Sequence, residues 1–429
     1  MKSMKFVTVP LLAAAWSLPM PSHAQKFVPN YDEAKIREYR LPDPLLVHGG
    51  TRIETSEEWR EKGRPATLKL FAEQMFGKAP VGKPEEMAFK LDKEVEDALN
   101  GKAIRREYVV TFAKDKGPKV RLLLYLPKGA DGPVPAFLGL NFRGNQTVEA
   151  DPRITLNEGF VLGGKKEGDN KELAEKIRGS AAGRWSAEMV VSRGYALATA
   201  CCGNIDPDYD DGFKNGVHPL FTEGKPKPDE WGTVAAWAWG LSRLLDVLEE
   251  VEEVDGKRVG VLGHSRLGKT SLWAGATDER FVFAISNNSG CGGAALSKRA
   301  FGETVGRINQ NFPHWFNGNF KKYNEKEDDL PFDQHQLIAL IAPRPVYVAS
   351  ATKDRWADPK GEFLSLVHAE PVYQLFHDAP FGFKEQPQAG RCVGRVMGYH
   401  LREGKHDVTP EDWTHYLDFA DKWVKKKKP

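Results

Sequence analysis

An apolar run that ends in a glycine-flanked serine constrains the fold of this chain more than any other segment. Residues 259–264 predict a buried strand, Ser265 ends it, and a helix of small residues is predicted from Thr270 to Thr277. This is the outline of a nucleophile elbow, a strained strand-to-helix turn that presents a serine hydroxyl at the end of a sheet. The helix N-terminus would offer free N–H groups to a developing oxyanion.

The elbow departs from the usual Gly-x-Ser-x-Gly pattern. The second residue after Ser265 is Leu267, and the glycine comes one position later, at Gly268. Arg266 follows the serine directly, which is unusual for such a turn. This departure from Gly-x-Ser-x-Gly restricts the families of hydrolase to which the chain can belong.

The rest of the chain predicts an α/β fold. Segments 106–112 and 119–125 alternate apolar and polar residues around a Lys-Asp-Lys-Gly turn, so they predict a hairpin. Apolar runs then alternate with helical segments such as Thr233–Leu248, which indicates a parallel sheet buried on both faces. The further predicted strands are residues 135–142, 195–200, 281–286 and 344–351. An antiparallel hairpin that leads into such a sheet is the α/β-hydrolase arrangement, a three-layer sandwich, and residues 25–429 are expected to form one catalytic domain.

Polar segments surround this pattern. Residues 64–77 predict an amphipathic helix closed by a glycine cap, within a proline-punctuated stretch from 25 to about 100. Residues 143–185 and 203–230 interrupt the strand pattern and are rich in Gly and Asp. Insertions of this kind usually lie over the carboxyl ends of the strands, where the active site forms.

The N-terminus has the features of a secretion signal. Lys2 and Lys5 precede an apolar core from about residue 6 to residue 16, and small residues at Ser22 and Ala24 fit a cleavage site. The apolar run is too short to span a membrane. We therefore expect residues 1–24 to be removed after Ala24 and the mature protein to be exported, either to the periplasm or to the medium.

The net charge and the spacing of cysteines and histidines bear on possible partners, metals and cofactors. The formal net charge is +2, which gives no reason to expect a nucleic-acid or membrane partner. No Cys-x-x-Cys or His-Glu-x-x-His spacing suggests a metal, so neither metal nor cofactor is expected. Nothing demands an oligomer, and a monomer is expected. The pairing of the four cysteines is left open; they are Cys201, Cys202, Cys291 and Cys392.

A serine nucleophile needs a base and an acid that orients the base. Asp354 follows the predicted strand 344–351, where the acid of such a fold is expected, and His406 lies in a later glycine-containing loop. Three other histidines have structural interpretations: His264 in the elbow, His400 within a strand, and His415 within the last helix. The order Ser265, Asp354, His406 is therefore the predicted triad.

Two cations lie close to the serine in sequence. Arg266 can point its guanidinium at the substrate carbonyl oxygen and supplement the oxyanion hole, or it can form a salt bridge on the outside of the elbow. Lys269, one helical turn later, can meet polar substrate oxygens or be solvated. Cations beside a nucleophile favour a polar or anionic substrate over a fatty acyl chain.

The segment Gly263–Lys269 resembles the Gly-x-Ser-Arg-x-Gly-Lys signature of the glucuronoyl esterases, carbohydrate esterase family fifteen. Further similar segments, mainly to the bacterial branch, are residues 273–281, 289–296, 311–316, 342–345 and 404–407, and the resemblance covers about residues 60 to 424. It implies a metal-free serine esterase that cleaves esters between 4-O-methyl-glucuronic acid side groups of glucuronoxylan and lignin alcohols, through an acyl-enzyme.

The resemblance also implies residue roles. Ser265 is similar in position to the nucleophile, His406 to the base and Arg266 to the oxyanion-stabilising side chain. The positions that contact the uronic-acid sugar correspond to Lys269, Glu303 and Trp356. Some family members carry the acid after an earlier strand, where this chain has Asn288. An amide cannot supply the negative charge, so Asp354 is the expected acid.

Two other functions remain open at this point. The first is an acetyl-xylan or general carbohydrate esterase, against which Lys269 and Glu303 argue, because a small acetyl group needs no such contacts. The second is a catalytically silent carbohydrate-binding protein with the same fold. An intact Ser265, Asp354 and His406 argue against the second.

Overall fold

The computed structural model describes residues 27–425 apart from 48, 49, 115, 167, 169, 223 and 225. The predicted signal peptide and its cleavage site lie outside these described residues. Twelve strands are formed within them: β1 Leu46–Val47, β2 Thr51–Arg52, β3 Ala88–Asp97, β4 Ala103–Ala113, β5 Lys116–Pro127, β6 Val134–Asn141, β7 Ala196–Cys201, β8 Val254–His264, β9 Ala284–Asn287, β10 Val346–Ala351, β11 Cys392–Gly394 and β12 Met397–Arg402.

Helices connect and cover these strands. They are α1 Ser56–Glu58, α2 Arg64–Phe71, α3 Ala98–Gly101, α4 Lys171–Lys176, α5 Ala182–Trp185, α6 Ala187–Ser192, α7 Thr233–Leu248, α8 Arg266–Thr277, α9 Val305–Asn311, α10 Gln334–Ala339, α11 Pro359–Gln374 and α12 Pro410–Val424. Short 3-10 and π-helical turns extend several of them, as at Ala72–Phe76 after α2.

Ten of the strands form one sheet, in the order β11-β12-β10-β9-β8-β6-β7-β5-β4-β3. The six strands from β12 to β7 in that order are parallel to one another. β5, β4 and β3 add an antiparallel section at one edge, and β11 pairs antiparallel with β12 at the other. The α/β-hydrolase fold class with a mostly parallel sheet is confirmed. The carboxyl ends of the parallel strands all lie at the same end of the sheet, where the loops that follow them can together form a site.

Apolar clusters fill both faces of this sheet. On one face lies α7, whose sixteen residues are all buried, so it forms a central core helix with no solvent-facing side. On the other face the aromatic side of α12 packs against β8, β9 and β10, with Trp413 and Tyr416 fully buried. Burial on both faces explains why the parallel strands are continuous apolar runs in the sequence.

The predicted strands and helices lie close to the observed ones. The hairpin pairs β4 with β5, and the helix predicted from Thr233 to Leu248 has those bounds. The strand predicted at 281–286 begins later, at Ala284. β3 was missed altogether. It forms the outer edge of the sheet and is mostly exposed, so charged residues replace the apolar alternation that reveals a strand.

All four cysteines are free, with Cys392 exposed and the other three buried. Within the described residues, no helix has the length and apolar character needed to cross a membrane.

Candidate active site

Ser265 lies at the sharp turn between β8 and α8. Its backbone has φ 60° and ψ −128°, a strained conformation for a non-glycine residue. The Ser265 N–H donates to the Asn287 carbonyl at 2.9 Å, which ties the turn to the neighbouring strand end. A Cβ at Gly263 would lie 1.8 Å from the Leu267 carbonyl oxygen, so only glycine permits this approach. These contacts give the serine the geometry of a nucleophile elbow.

His406 and Asp354 are brought together by two loops that follow adjacent strands. β10 and β12 are parallel neighbours, and the Lys353 N–H donates to the Gly404 carbonyl at 2.8 Å, which joins their loops. His406 Nδ1 lies 2.6 Å from Asp354 Oδ2, and the Asp354 side chain is buried while the imidazole is partly exposed. With Nδ1 engaged by the carboxylate, Nε2 is the nitrogen available to a serine hydroxyl.

Asn288 belongs to the same cluster. Its amide nitrogen donates to Asp354 Oδ2 at 3.0 Å, and its backbone has a φ of 47°. The side chain that could not serve as the acid therefore hydrogen-bonds to the predicted acid. A donor on a buried carboxylate stabilises its charged form.

Arg266 is held by a buried carboxylate from the insertion at 203–230. Its Nη1 forms an ion pair with Asp208 Oδ2. Asp208 also accepts from the Trp315 indole at 2.8 Å and lies 3.2 Å from His314 Nε2. The guanidinium carbon lies 4.7 Å from the Trp315 ring centroid and 5.1 Å from that of Phe312.

Burial opposes ionisation of Asp208, but its hydrogen bonds and the Arg266 charge hold its pKa below the ordinary range. The carboxylate is therefore charged at neutral pH and fixes the position of the guanidinium. Arg266 therefore forms a salt bridge and also lines the cavity that contains Ser265, while its contact with an oxyanion stays a prediction.

Lys269 and Glu303 are both buried, with side chains far less solvated than the sequence suggests for lone charges. The Lys269 ammonium donates to the Ser289 carbonyl. Burial lowers the pKa of Lys269 and raises the pKa of Glu303, while each residue's charge counteracts the other's shift. The Glu303 N–H donates to the Trp356 carbonyl at 3.0 Å, so the three predicted sugar-contacting residues are structurally connected.

A cavity of about 600 Å³ opens over the serine. Ser265, Arg266 and His406 line it, together with Arg184 and Trp185 from the insertion at 143–185. Lys269, Glu303 and Trp356 are not part of this lining. Ser265 therefore adjoins an open cavity, and the buried charges of Lys269 and Glu303 lie outside the lining of that cavity.

The three rival histidines are all accounted for by structural contacts. His264 Nδ1 lies 2.6 Å from Asn287 Oδ1, and burial lowers its pKa well below the ordinary value. His400 lies within β12, between the Tyr347 hydroxyl and Asp412. His415 is half-buried on α12, and burial lowers its pKa. His406 is the histidine paired with Asp354.

Three polar residues near the site were missed from the sequence. Asp208 lies in a segment with many aspartates, and nothing local distinguishes it. In the sequence, Asn288 is informative only because it replaces the acid that some family members carry at this position. Glu362, on α11, accepts from the Ser289 and Gly290 N–H groups at 2.7 and 3.0 Å and from the Ser350 hydroxyl at 2.6 Å. Only its place in the three-dimensional structure reveals that it supports the loop beside the nucleophile.

Known proteins resemble this chain over almost its full length. A family model described as "Glucuronyl esterase, fungi" matches residues 220–377. The carbohydrate esterase MZ0003, from an unknown prokaryotic organism, is 49% identical over 95% of this chain and 94% of its own.

Solved structures show the same similarity over almost the whole chain. A glucuronoyl esterase from Solibacter usitatus is 45% identical, with a TM-score of 0.87 over 91% of this chain and all of that one. A promiscuous CE15 esterase from a marine bacterial metagenome is 49% identical, with a TM-score of 0.85 over 92% of this chain and all of that one. The elbow, the fold and these similarities together show that the chain is a carboxylic ester hydrolase that belongs to carbohydrate esterase family 15, the glucuronoyl esterases.

Proposed function

We propose that this protein hydrolyses glucuronoyl esters, which link (4-O-methyl-)glucuronic acid side groups of glucuronoxylan to lignin alcohols. The observation that carries the proposal is the burial of two oppositely charged side chains, Lys269 and Glu303, within electrostatic range of Arg266, which lines the open cavity at Ser265. Buried polar groups of this kind suit a hydroxylated, charged sugar, because such a sugar can hydrogen-bond to them whereas an apolar acyl chain cannot. The 4-O-methyl-glucuronoyl methylesterase of Cerrena unicolor, 26% identical over 81% of this chain and 63% of its own, supports the same substrate class.

The chemistry proceeds through an acyl-enzyme on Ser265. His406 Nε2 takes the hydroxyl proton as the serine oxygen attacks the uronate carbonyl, and Asp354 holds the tautomer and stabilises the imidazolium. The tetrahedral oxyanion is stabilised by the helix N-terminus after the elbow and by the Arg266 guanidinium. His406 then protonates the departing alcohol, and water attacks the ester of Ser265 by the same steps in reverse.

The two halves of the ester contact different groups of residues. The sugar lies towards Lys269, Glu303 and Trp356, where carboxylate, ammonium and indole groups can meet its hydroxyls and its ring face. The alcohol lies in the cavity, which Trp185 and Arg184 line. An aromatic alcohol suits a wall that contains an indole ring.

Domain organisation, oligomeric state, partners and export are also part of the proposed function. Residues 25–429 form one catalytic domain, acting as a monomer without metal or cofactor, and with neither nucleic acid nor membrane as a partner. Residues 1–24 direct export and are cleaved after Ala24, which places the enzyme where plant cell-wall polymers are found. Support comes from the charged start and short apolar core of the N-terminal sequence.

Hydrolysis of benzyl glucuronate by purified residues 25–429 tests the function. The Ser265→Ala variant and a simple acetyl ester serve as controls. Serine-dependent cleavage of the glucuronate ester with little action on acetate is the expected result. Cleavage of acetate alone would make the protein an acetyl or general esterase and leave Lys269 and Glu303 without a role.

A further inference from the structure

His264 is the last residue of β8, directly before the nucleophile, and it lines the same cavity as Ser265 and His406. Its contact with Asn287 Oδ1, at 2.6 Å from Nδ1, engages only one of the two ring nitrogens. Within the described part of the chain, Nε2 has no hydrogen-bond partner, and it is not among the unpartnered polar atoms that are closed off from solvent. This nitrogen is therefore open to the cavity, and the catalytic steps described above do not use it.

The neighbours of His264 decide which of its nitrogens carries the proton. The Asn287 side-chain nitrogen donates to the Tyr416 hydroxyl at 2.8 Å, which turns the amide oxygen towards His264. An amide oxygen only accepts, so Nδ1 carries the proton. Burial and the nearby His406 lower the pKa of His264 well below its usual value, so the ring is neutral at neutral pH. Nε2 is then an unprotonated acceptor that faces the cavity.

His264 and His406 present two such acceptors to the same space. Their ring centroids lie 4.5 Å apart, with 41° between the ring planes. In each ring Nδ1 is engaged by a neighbouring side chain, Asn287 for His264 and Asp354 for His406, so Nε2 is the nitrogen left for the cavity. Rings this close together allow one water molecule to contact both.

The two halves of the reaction place different demands on this space. During acylation His406 gives one proton to the departing alcohol, whose oxygen carries no other proton. During deacylation a water molecule takes the place of the alcohol. It carries two protons, of which His406 takes one, and the other stays on the oxygen. An acceptor for this second proton orients the water before it attacks.

We propose that His264 Nε2 accepts a hydrogen bond from the hydrolytic water and so positions it for attack on the ester of Ser265. The water oxygen bonds to the acyl carbon while His406 takes one of its protons, and the second proton stays on the oxygen, held by His264. The oxyanion then reforms the carbonyl, the bond from the acyl carbon to the Ser265 oxygen breaks, and His406 returns its proton to that oxygen. The product is the uronic acid, whose carboxyl proton passes to solvent. This inference rests on the acyl-enzyme of the function proposed above.

Competition between water and methanol for the acyl-enzyme tests this role. Methanol has one hydroxyl proton, which His406 takes, so its attack gains nothing from a second acceptor. When benzyl glucuronate reacts in the presence of methanol, the initial ratio of methyl glucuronate to free glucuronate compares the two attacks on one intermediate. In His264→Leu the attack by water should slow about tenfold and that by methanol should change little, so this ratio should rise about tenfold. The ratio does not depend on how much of the protein is folded or on how fast the acyl-enzyme forms.

Two further variants separate the acceptor from the packing of the ring. In His264→Gln the amide can donate to Asn287 and accept from water, so the ratio should stay within about threefold of the wild-type value. The matched control is His415→Leu, on α12. The His415 ring lies 4.5 Å from the His400 ring at an angle of 40°, nearly the arrangement of His264 and His406, but neither of these two rings lines the cavity. His415→Leu should therefore leave the ratio unchanged.

An unchanged ratio in His264→Leu, even with a large fall in turnover, would overturn the inference, because the ring would then only support the structure. A ratio as high in His264→Gln as in His264→Leu would also overturn it, since an acceptor at this position would then have no effect. The same ratio can be measured with a simple acetyl ester, as methyl acetate against acetate. Failure to cleave glucuronate esters would therefore refute the proposed function alone, and an unchanged ratio on an ester that is cleaved would refute the role of His264 alone.

Discussion

The carboxylate of Asp208 holds the guanidinium of Arg266, although the two residues lie 58 positions apart in the chain. Arg266 is proposed to stabilise the oxyanion, so its charge must already be in place when the serine attacks. We expect Arg266→Ala to lower kcat by roughly 10²-fold or more without unfolding the protein. Near-normal turnover of benzyl glucuronate in this variant would remove Arg266 from the mechanism.

Asp208 should act through Arg266 as a positioning residue. Asp208→Asn keeps the side-chain shape but loses the charge, so the guanidinium becomes more mobile and kcat should fall about tenfold with KM nearly constant. In the Arg266→Ala background the same substitution should have much less effect on kcat. Independent, multiplicative losses in the double variant would contradict coupling between the two residues.

Substitutions of Asp354 and Asn288 should lower kcat by different amounts. Asp354→Asn should reduce kcat by on the order of 10³-fold to 10⁴-fold, because His406 loses its orienting charge. Asn288→Ala removes one hydrogen bond to the same carboxylate, so its loss should be about tenfold or less. Steady-state hydrolysis of benzyl glucuronate by both variants measures the contrast. Full activity in Asp354→Asn would mean that the acid lies elsewhere.

Local patterns in the sequence were sufficient to predict the fold and to select three side chains that the structure brings together, Ser265, Asp354 and His406. The elbow around Ser265 has strict steric requirements, and β10 and the second half of β8, from Val259, are continuously buried because the sheet is covered on both faces. The edge strand β3 has no such pattern, since most of its side chains meet solvent. Edge strands are set by pairing with a neighbour, which the local sequence does not encode.

The supporting contacts could not be predicted for a similar reason. Asp208 and the neighbours His314 and Trp315 come from distant segments, and their meeting at Arg266 depends on how the insertion at 203–230 and the segment after α9 fold over the sheet. Lys269 lies one turn into a helix, a place where lysine is usually solvated, yet the loop at Ser289 buries it. Burial of a charge is a property of the tertiary structure and leaves no trace in the residue's neighbours along the chain.

The buried charges of Lys269 and Glu303 should be coupled in their effect on the free energy of unfolding but not in their effect on KM. Lys269→Met leaves Glu303 buried without its compensating charge, so the free energy of unfolding should fall by about 3 kcal/mol. Adding Glu303→Gln should recover much of that loss, because the uncompensated carboxylate is gone. The double variant should still have a raised KM for benzyl glucuronate, since both proposed sugar contacts are missing. Chemical denaturation and steady-state kinetics on the four proteins of this cycle measure both effects, and additive stability losses would contradict the pairing.

Glu362 should make the stability of the protein depend on pH. Burial raises the pKa of this carboxyl to about 7, although the Ser350 hydroxyl and two backbone N–H groups favour its charged form. Between about pH 4.5 and pH 7 the folded state therefore retains a proton that the unfolded state releases, so the contribution of Glu362 to stability falls as pH rises. Glu362→Gln cannot ionise, and its free energy of unfolding should decline less than that of the wild type across this window.

Urea denaturation of both proteins at several pH values measures this difference. Asp333, whose pKa burial raises to about 6, contributes a decline of the same sign in both proteins and so cancels from the comparison. The glutamine retains an acceptor for the Ser289 and Gly290 N–H groups, so the loop beside Ser265 should keep its position and the variant should keep most of its activity at neutral pH. Identical pH slopes for the two proteins would show that Glu362 is charged in the folded state throughout, with its hydrogen-bond donors outweighing the cost of burial.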